Sequence, residues 1–268
     1  METHSSTGIL LISFGTSHSE TRKKTIEAME QEIRSAFPQY PVFHAWTSPR
    51  IISKLKKIGH IVPTPQEALQ KMLEQGIRRI LVQPTYILNA IENQLMKDWV
   101  NSFADKFDSI TFGTPLLTSE TDFQNVLLAV TQEFFPLNAD TALVLMGHGS
   151  EHPANIAYTQ LQTLCTTSGY RNIFVGTVEA TPSLDDILAA LGSTDYRRII
   201  LAPLMLVAGD HAVNDMAGSS PTSWKNRLLA EGYSVTPVLK GLGEYPAIRD
   251  IFVKHAKEAL NRLNLYKK

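Results

Sequence analysis

Three residues with metal-binding or acid–base chemistry stand at the ends of apolar runs in the second half of the chain. His148 follows "LVLMG" within "LVLMGHGSEH" (143–152), Glu179 follows "NIFVGTV", and His211 follows "LMLVAGD". Two imidazoles and one carboxylate are a common ligand set for a divalent transition metal, and three protein ligands leave coordination positions open for a substrate. Each residue also has a plainer reading. His148 would cap a helix or satisfy a turn, Glu179 would be an N-cap before "TPSLDDIL", and His211 would be a loop histidine. The glycines flanking His148 weigh toward function, because they remove bulk around the imidazole and free the backbone at a strand end. Asp210 and Asp215 are each placed to orient an imidazole from behind the metal, or else are solvated. His152, four residues after His148, reads as a surface residue. His4, His18, His44, His60 and His255 form no pattern by themselves.

Other chemistries find no support. Arginine does not precede the His-Gly pair, as a phosphohistidine enzyme requires. The nucleophile elbow G-x-S-x-G, the dinucleotide pattern G-x-G-x-x-G after a strand, and a Walker A sequence are all missing. The single cysteine, Cys165, allows no internal disulfide and no multi-cysteine metal site, and its helix-like surroundings read as packing. A formal net charge of −1 favours neither nucleic acid nor an anionic membrane. The longest apolar stretch, 199–208, falls well short of the roughly 20 residues of a membrane helix. The start, "METHSSTG", is polar and unlike a signal peptide, so a cytoplasmic location is expected. A homo-oligomer is compatible with all of this.

The elements that must position these residues repeat. Apolar runs alternate with amphipathic helical stretches: "ILLISF", "SETRKKTIEAMEQEIRSAF", "PVFHAW", "TPQEALQKMLEQG", "RRILVQPTYIL", "SITFGTPLL" and "SETDFQNVLLAVTQEFF". The order then begins again at "TALVLMGHGS". A helix around 153–167 follows, then "NIFVGTVEA", "SLDDILAALGS", "RRIILAPLMLV", "PTSWKNRLLAEG", "SVTPVLKGLG" and "PAIRDIFVKHAKEALNRL". Continuous apolar strands between helices predict parallel sheets covered on both faces. The halves match in detail. "RRILVQP" (78–84) mirrors "RRIILAP" (197–203), and eight residues beyond each proline stands Glu92 or His211. "FHAWTSP" (43–49) resembles "FVGTVEATP" (174–182), and "TFGTPLL" (111–117) resembles "YSVTPVL" (233–239). Hydrophobic residues make up 43% of 268, enough for two cores. The expected fold is therefore α/β, with two similar domains, 1–137 and 138–268, each a parallel sheet flanked by helices. A ligand cleft is expected between them, beyond the carboxyl ends of the strands.

At these residues the chain resembles a known family, the class II chelatases, and within it the anaerobic cobaltochelatases of the CbiK type. The resemblance is carried by "ISFGTSHSET" (12–21), "AWTSPRIISKL" (45–55), "TPLLTSETDF" (114–123), "MGHGSEHPANIAY" (146–158), "VGTVEATPSLDDIL" (175–188), "PLMLVAGDHAVNDMA" (203–217) and "GLGEYPAIRDIFVKH" (241–255). It implies two similar α/β domains and insertion of Co²⁺ into the tetrapyrrole sirohydrochlorin, with loss of two protons, in anaerobic cobalamin biosynthesis. The metal is a substrate, and no organic cofactor is implied. The family's metal-binding residues match His148, His211 and Glu179. Fe²⁺ and Ni²⁺ accept the same ligands, so a sirohydrochlorin ferrochelatase for sirohaem and a non-catalytic tetrapyrrole or metal carrier stand as alternatives. The chain departs from the family pattern H-x-x-x-G-x-E in "TYILNAIE" (85–92): Tyr86 replaces the histidine and Ala90 the glycine, while Glu92 remains.

Sirohydrochlorin carries eight carboxylates, so the resemblance also implies cationic and backbone donors around the substrate. Arg50 and Lys54 are the cationic candidates. Ser13, Gly15 and Thr16 stand at a strand-to-helix turn, where anions bind readily. Tyr86 and Glu92 complete the expected substrate contacts. Trp46 and Trp224 would stack on the macrocycle or pack in the core.

Overall fold

The computed structural model describes residues 6–265, so His4 and most of the polar start lie outside the described residues. It contains two four-stranded parallel sheets with the same strand order. The first is β2-β1-β3-β4, from β1 (Ser6–Ser13), β2 (Val42–Trp46), β3 (Ile77–Pro84) and β4 (Ser109–Phe112). The second is β6-β5-β7-β8, from β5 (Thr141–Gly147), β6 (Ile173–Thr177), β7 (Arg198–Pro203) and β8 (Ser234–Pro237). The sequence correspondences all fall on equivalent elements: 78–84 and 197–203 on β3 and β7, 43–49 and 174–182 on β2 and β6, 111–117 and 233–239 on β4 and β8. The central strands are the continuous apolar runs. Leu10, Ile12, Ile80, Val82, Ala142, Val144, Met146 and Leu201 are wholly buried. The edge strands β4 and β8 are only part-covered, as their shorter and more polar sequences require.

Helices cover these sheets. In the first half, α1 (Ser19–Arg22) passes through a π-helical turn (Lys23–Glu27) into α2 (Ala28–Ala36), burying Ile26, Met29 and Ile33 on one face. Next come α3 (Pro49–Lys57), α4 (Pro65–Glu74) and α5 (Ile91–Asn101). In α4, Thr64 and Glu67 form a capping box, and Ala68, Leu69 and Met72 are buried. Then follow α6 (Glu120–Phe134), α7 (Ile156–Thr167), α8 (Leu184–Leu191), α9 (Trp224–Ala230) and α10 (Pro246–Leu265). Among the described residues no helix is long and apolar enough to cross a membrane.

The chain divides into two compact units, 1–118 with 249–268, and 119–248. This differs at both ends from the expected boundary at residue 137. Helix α6 belongs to the second unit, where the Lys240 ammonium bonds Glu133 at 2.6 Å and the Phe134 ring meets Tyr245 edge-on. Most of α10 belongs to the first unit. There Arg79 donates to the Leu263 carbonyl, Arg262 to the Phe112 carbonyl at 2.9 Å, and the His255 Nδ1 lies 3.1 Å from the Thr114 carbonyl. Each unit has its own core: Leu10, Ile12, Leu69, Ile80, Val82 and Met96 in the first, and Val144, Met146, Ile187, Leu201, Met216 and Trp224 in the second.

Candidate metal centre

His148, Glu179 and His211 each lie just past the carboxyl end of a strand of the second sheet: β5, β6 and β7. The strands lie in the order β6-β5-β7, and the chain's path reverses between β5 and β7. That reversal is the place where open α/β sheets bind ligands. Local pairing brings the side chains together. The β5–β6 ladder continues past both strands, with Val178 N–H donating to the Gly147 carbonyl at 3.0 Å and Glu179 N–H to the His148 carbonyl at 2.9 Å. Glu179 is thereby held beside His148.

Both flanking glycines serve this approach. A Cβ on Gly147 would lie 2.3 Å from the Tyr158 ring of α7. Gly149 has φ +91°, and a Cβ there would lie 2.8 Å from the Ala180 backbone nitrogen. Only glycine accepts that backbone while leaving room for the segment that carries Glu179.

His211 is reached differently. The chain leaves β7 and enters a π-helical turn, His211–Met216, which buries Ala212 and Met216. The loop before it rests on 242–243, whose backbone N–H groups donate to the Met205 and Leu206 carbonyls at 2.8 and 2.9 Å.

One candidate ligand atom from each of the three residues lies within 4.8 Å of the other two. His148 Nδ1 is 3.5 Å from Glu179 Oε2, and His211 Nε2 is 4.0 Å from Glu179 Oε1. The imidazole rings meet edge-to-face with centroids 4.6 Å apart. All three side chains keep between a third and about half of their surface open, so a solute has access. His148 Nδ1 also lies 3.0 Å from the Gly149 carbonyl, and His211 Nδ1 lies 2.6 Å from Asp215 Oδ2. The Asp215 carboxylate only accepts, so this contact puts the ring hydrogen of neutral His211 on Nδ1 and leaves the lone pair on Nε2.

The sequence of residues 7–261 matches the family described as cobalt chelatase (CbiK). The chain belongs to the cobalt chelatase (CbiK) family. It is 40% identical to a sirohydrochlorin cobaltochelatase of Salmonella typhimurium, over 94% of this chain and 96% of that one. It is 33% identical to the sirohydrochlorin cobaltochelatase CbiKC of Nitratidesulfovibrio vulgaris, over 96% and 92%. The fold is also that of a SirB from Bacillus subtilis with Fe³⁺, at TM-score 0.69 and 15% identity over 97% of this chain and 98% of that one.

The other expected site residues of this CbiK-family chain lie in the first unit, in varied settings. Ser13 is buried and its hydroxyl accepts from the Thr85 hydroxyl at 2.9 Å. Thr16 is buried too, its Oγ1 accepting from His18 N–H at 3.2 Å. Gly15, with φ +104°, lies against the Trp46 ring. Arg50 is exposed at the start of α3, and Lys54 donates to the Ser17 hydroxyl at 2.9 Å. Tyr86 is buried among the first unit's apolar residues, with its hydroxyl 3.1 Å from Thr47 Oγ1; burial pushes its phenol well above the ordinary range. Glu92 is exposed at the start of α5. Trp46 and Trp224 are core residues. His152 accepts from Ala154 N–H at 3.1 Å and caps a short 3₁₀ turn.

Sequence reasoning missed Phe14. "SFGTS" aligns with "GHGSE", so Phe14 holds the place that His148 holds in the second unit, and it is 50% exposed. The shared positive φ of Gly15 and Gly149 marks the same turn. The local likeness of the two strings was the available signal.

Proposed function

We propose that this protein is a sirohydrochlorin cobaltochelatase, which inserts Co²⁺ into sirohydrochlorin with release of two protons, for cobalamin biosynthesis. The observation that carries this reading is the convergence of two imidazoles and one carboxylate at adjacent strand ends in a chain of the cobalt chelatase family. His148, His211 and Glu179 hold the Co²⁺ substrate. Glu179 offsets part of the ion's charge, and the open positions accept ring nitrogens. A site without thiolate releases the ion more readily than a cysteine cluster would.

Charge and atoms balance within the site. As Co²⁺ passes to four ring nitrogens, two pyrrole N–H protons leave, and the bonds from the ion to both imidazoles and to the Glu179 carboxylate break. Each freed imidazole regains a lone pair, and neutral imidazole accepts protons near pH 7. His148 and His211 thus serve in turn as ligands and proton acceptors. Arg50 and the backbone of the Gly15–Ser17 turn are the proposed donors for the substrate's carboxylates; Tyr86 is buried with its hydroxyl against Thr47, and Glu92, itself an anion, does not attract them. The protein works in the cytoplasm and needs no organic cofactor.

The test is absorbance of sirohydrochlorin under anaerobic conditions with Co²⁺, Fe²⁺ and Ni²⁺ in competition. Product exceeding protein by many turnovers, with Co²⁺ preferred, is expected. A shift that stops at one equivalent would indicate a carrier, and preferred Fe²⁺ insertion would indicate a sirohaem enzyme. His148→Ala and His211→Ala are each expected to lower the rate at least 100-fold, in line with losses of about 10²-fold or more for removed acid–base groups, with the fold retained by circular dichroism. Near-normal rates in both variants would remove the site assignment.

A further inference from the structure

The contact between His211 and Asp215 has a chemical direction. The two residues stand four apart on the π-helical turn His211–Met216, which is anchored by the fully buried Ala212 and Met216. Asp215 Oδ2 lies 2.6 Å from His211 Nδ1, shorter than the usual N–H···O distance of about 2.9–3.0 Å. The carboxylate accepts, so Nδ1 is the donor and Nε2 keeps the lone pair. Nε2 is also the nitrogen turned toward Glu179, 4.0 Å from its Oε1. The two ring nitrogens point away from each other, so Asp215 closes one side of the imidazole and leaves the other to an ion. The Asp215 side chain is about half exposed, so core packing does not account for its place.

We propose that Asp215 is a positioning residue, which fixes the Nδ1–H tautomer and the ring orientation of His211 so that Nε2 is presented to the incoming metal. This rests on the reading of His211 as a metal ligand. Asp215 is poorly placed to act as a fourth ligand, because its Oδ2 is engaged on the side of the ring remote from Glu179. Outer carboxylates of this kind typically affect metal affinity or activity by roughly 10–100-fold.

The experiment compares the full-length protein with Asp215→Ala and Asp215→Asn. Long-range ¹H–¹⁵N correlations of the metal-free protein report the His211 tautomer, with the signals assigned through His211→Ala. Competition with a chromophoric chelator reports Co²⁺ affinity, and calorimetry reports stability. The wild type is expected to show Nδ1–H. Asp215→Ala should show a mixture or Nε2–H, with Co²⁺ affinity reduced about 10–100-fold. Asp215→Asn should keep the Nδ1–H tautomer through its amide carbonyl and hold an affinity between the two. An unchanged tautomer in Asp215→Ala, with or without a lower melting temperature, would overturn the proposal. So would Co²⁺ binding unaffected by His211→Ala, which removes the ligand reading beneath it. If Asp215 governs both tautomer and Co²⁺ affinity but sirohydrochlorin is not metallated, the positioning role stands and the proposed activity falls.

Discussion

Gly147 and Gly149 answer to different neighbours, and neither is there merely to expose a histidine. Gly147 makes room for the Tyr158 ring, while Gly149 takes a left-handed turn beneath Ala180. In the sequence, "GHG" marked the strand end and the accessible imidazole. It could not reveal the close approach of the Glu179 segment, since the neighbours responsible lie about ten and thirty residues further along the chain. Alanine at 149 would meet an unfavourable φ and a backbone atom that cannot rotate away. Gly149→Ala is expected to destabilise the protein by about 2–3 kcal/mol in denaturant melts. It should also weaken Co²⁺ binding, because Ala180 must shift and Glu179 is its neighbour. Unchanged stability and affinity would mean that the turn is more pliable than its geometry implies.

Elements were legible where apolar periodicity was strong. All eight strands among the described residues fall on runs read as apolar, and α1, α2, α4, α6, α7, α8, α9 and α10 coincide with helical patterns. Helices α3 and α5 were not read. Both carry apolar residues at helical spacing (Ile51, Ile52 and Leu55; Leu95, Met96, Trp99 and Val100), but little of either is fully buried: only Leu55 in α3, and Asn93, Met96 and Val100 in α5. The π-helical turn at His211 was invisible for a related reason: it is short, and its register is set by the burial of Ala212 and Met216. Asp210 and Asp215 were therefore equal candidates in sequence, whereas the turn brings Asp215 onto the His211 ring. The capping box of α4 can be tested separately from the metal site. The Thr64 N–H and hydroxyl hold the Glu67 carboxyl below the usual carboxylate range. Thr64→Ala is expected to cost about 1 kcal/mol. Glu67 has a lowered folded-state pKa, so its contribution is present above the unfolded-state value of roughly 4.3 and is lost as pH falls through the folded value. Melts of wild type and variant should therefore differ most at pH 7, with the gap narrowing but not closing in acid, because the bond from Glu67 N–H to Thr64 Oγ1 does not titrate. Because the cap lies in the first unit, Co²⁺ affinity should not change.

At the scale of the whole chain, two copies of one design carry different chemistry. Strand order and turns are repeated, yet the first unit sets Phe14 and Glu92 where the second sets His148 and His211. All three proposed metal ligands belong to 119–248. The sequence repeat located the two sheets but misplaced the boundary, because a repeat records which elements are alike and not which helix packs where. The difference predicts the behaviour of fragments. A fragment 138–268 lacks α6, which buries Val126, Leu127 and Val130, and carries α10 without the unit that covers Phe252, Ala256, Ala259 and Leu263. Leaving a large apolar side chain exposed forfeits about 1.5–3 kcal/mol. Several such losses approach the 5–15 kcal/mol that holds a typical domain together. A fragment 119–248 keeps α6 and omits that helix. It is expected to unfold cooperatively and to bind Co²⁺, whereas 138–268 should be unfolded or aggregated, as read by circular dichroism and titration with Co²⁺. Cooperative folding of 138–268 together with failure of 119–248 would restore the boundary at residue 137.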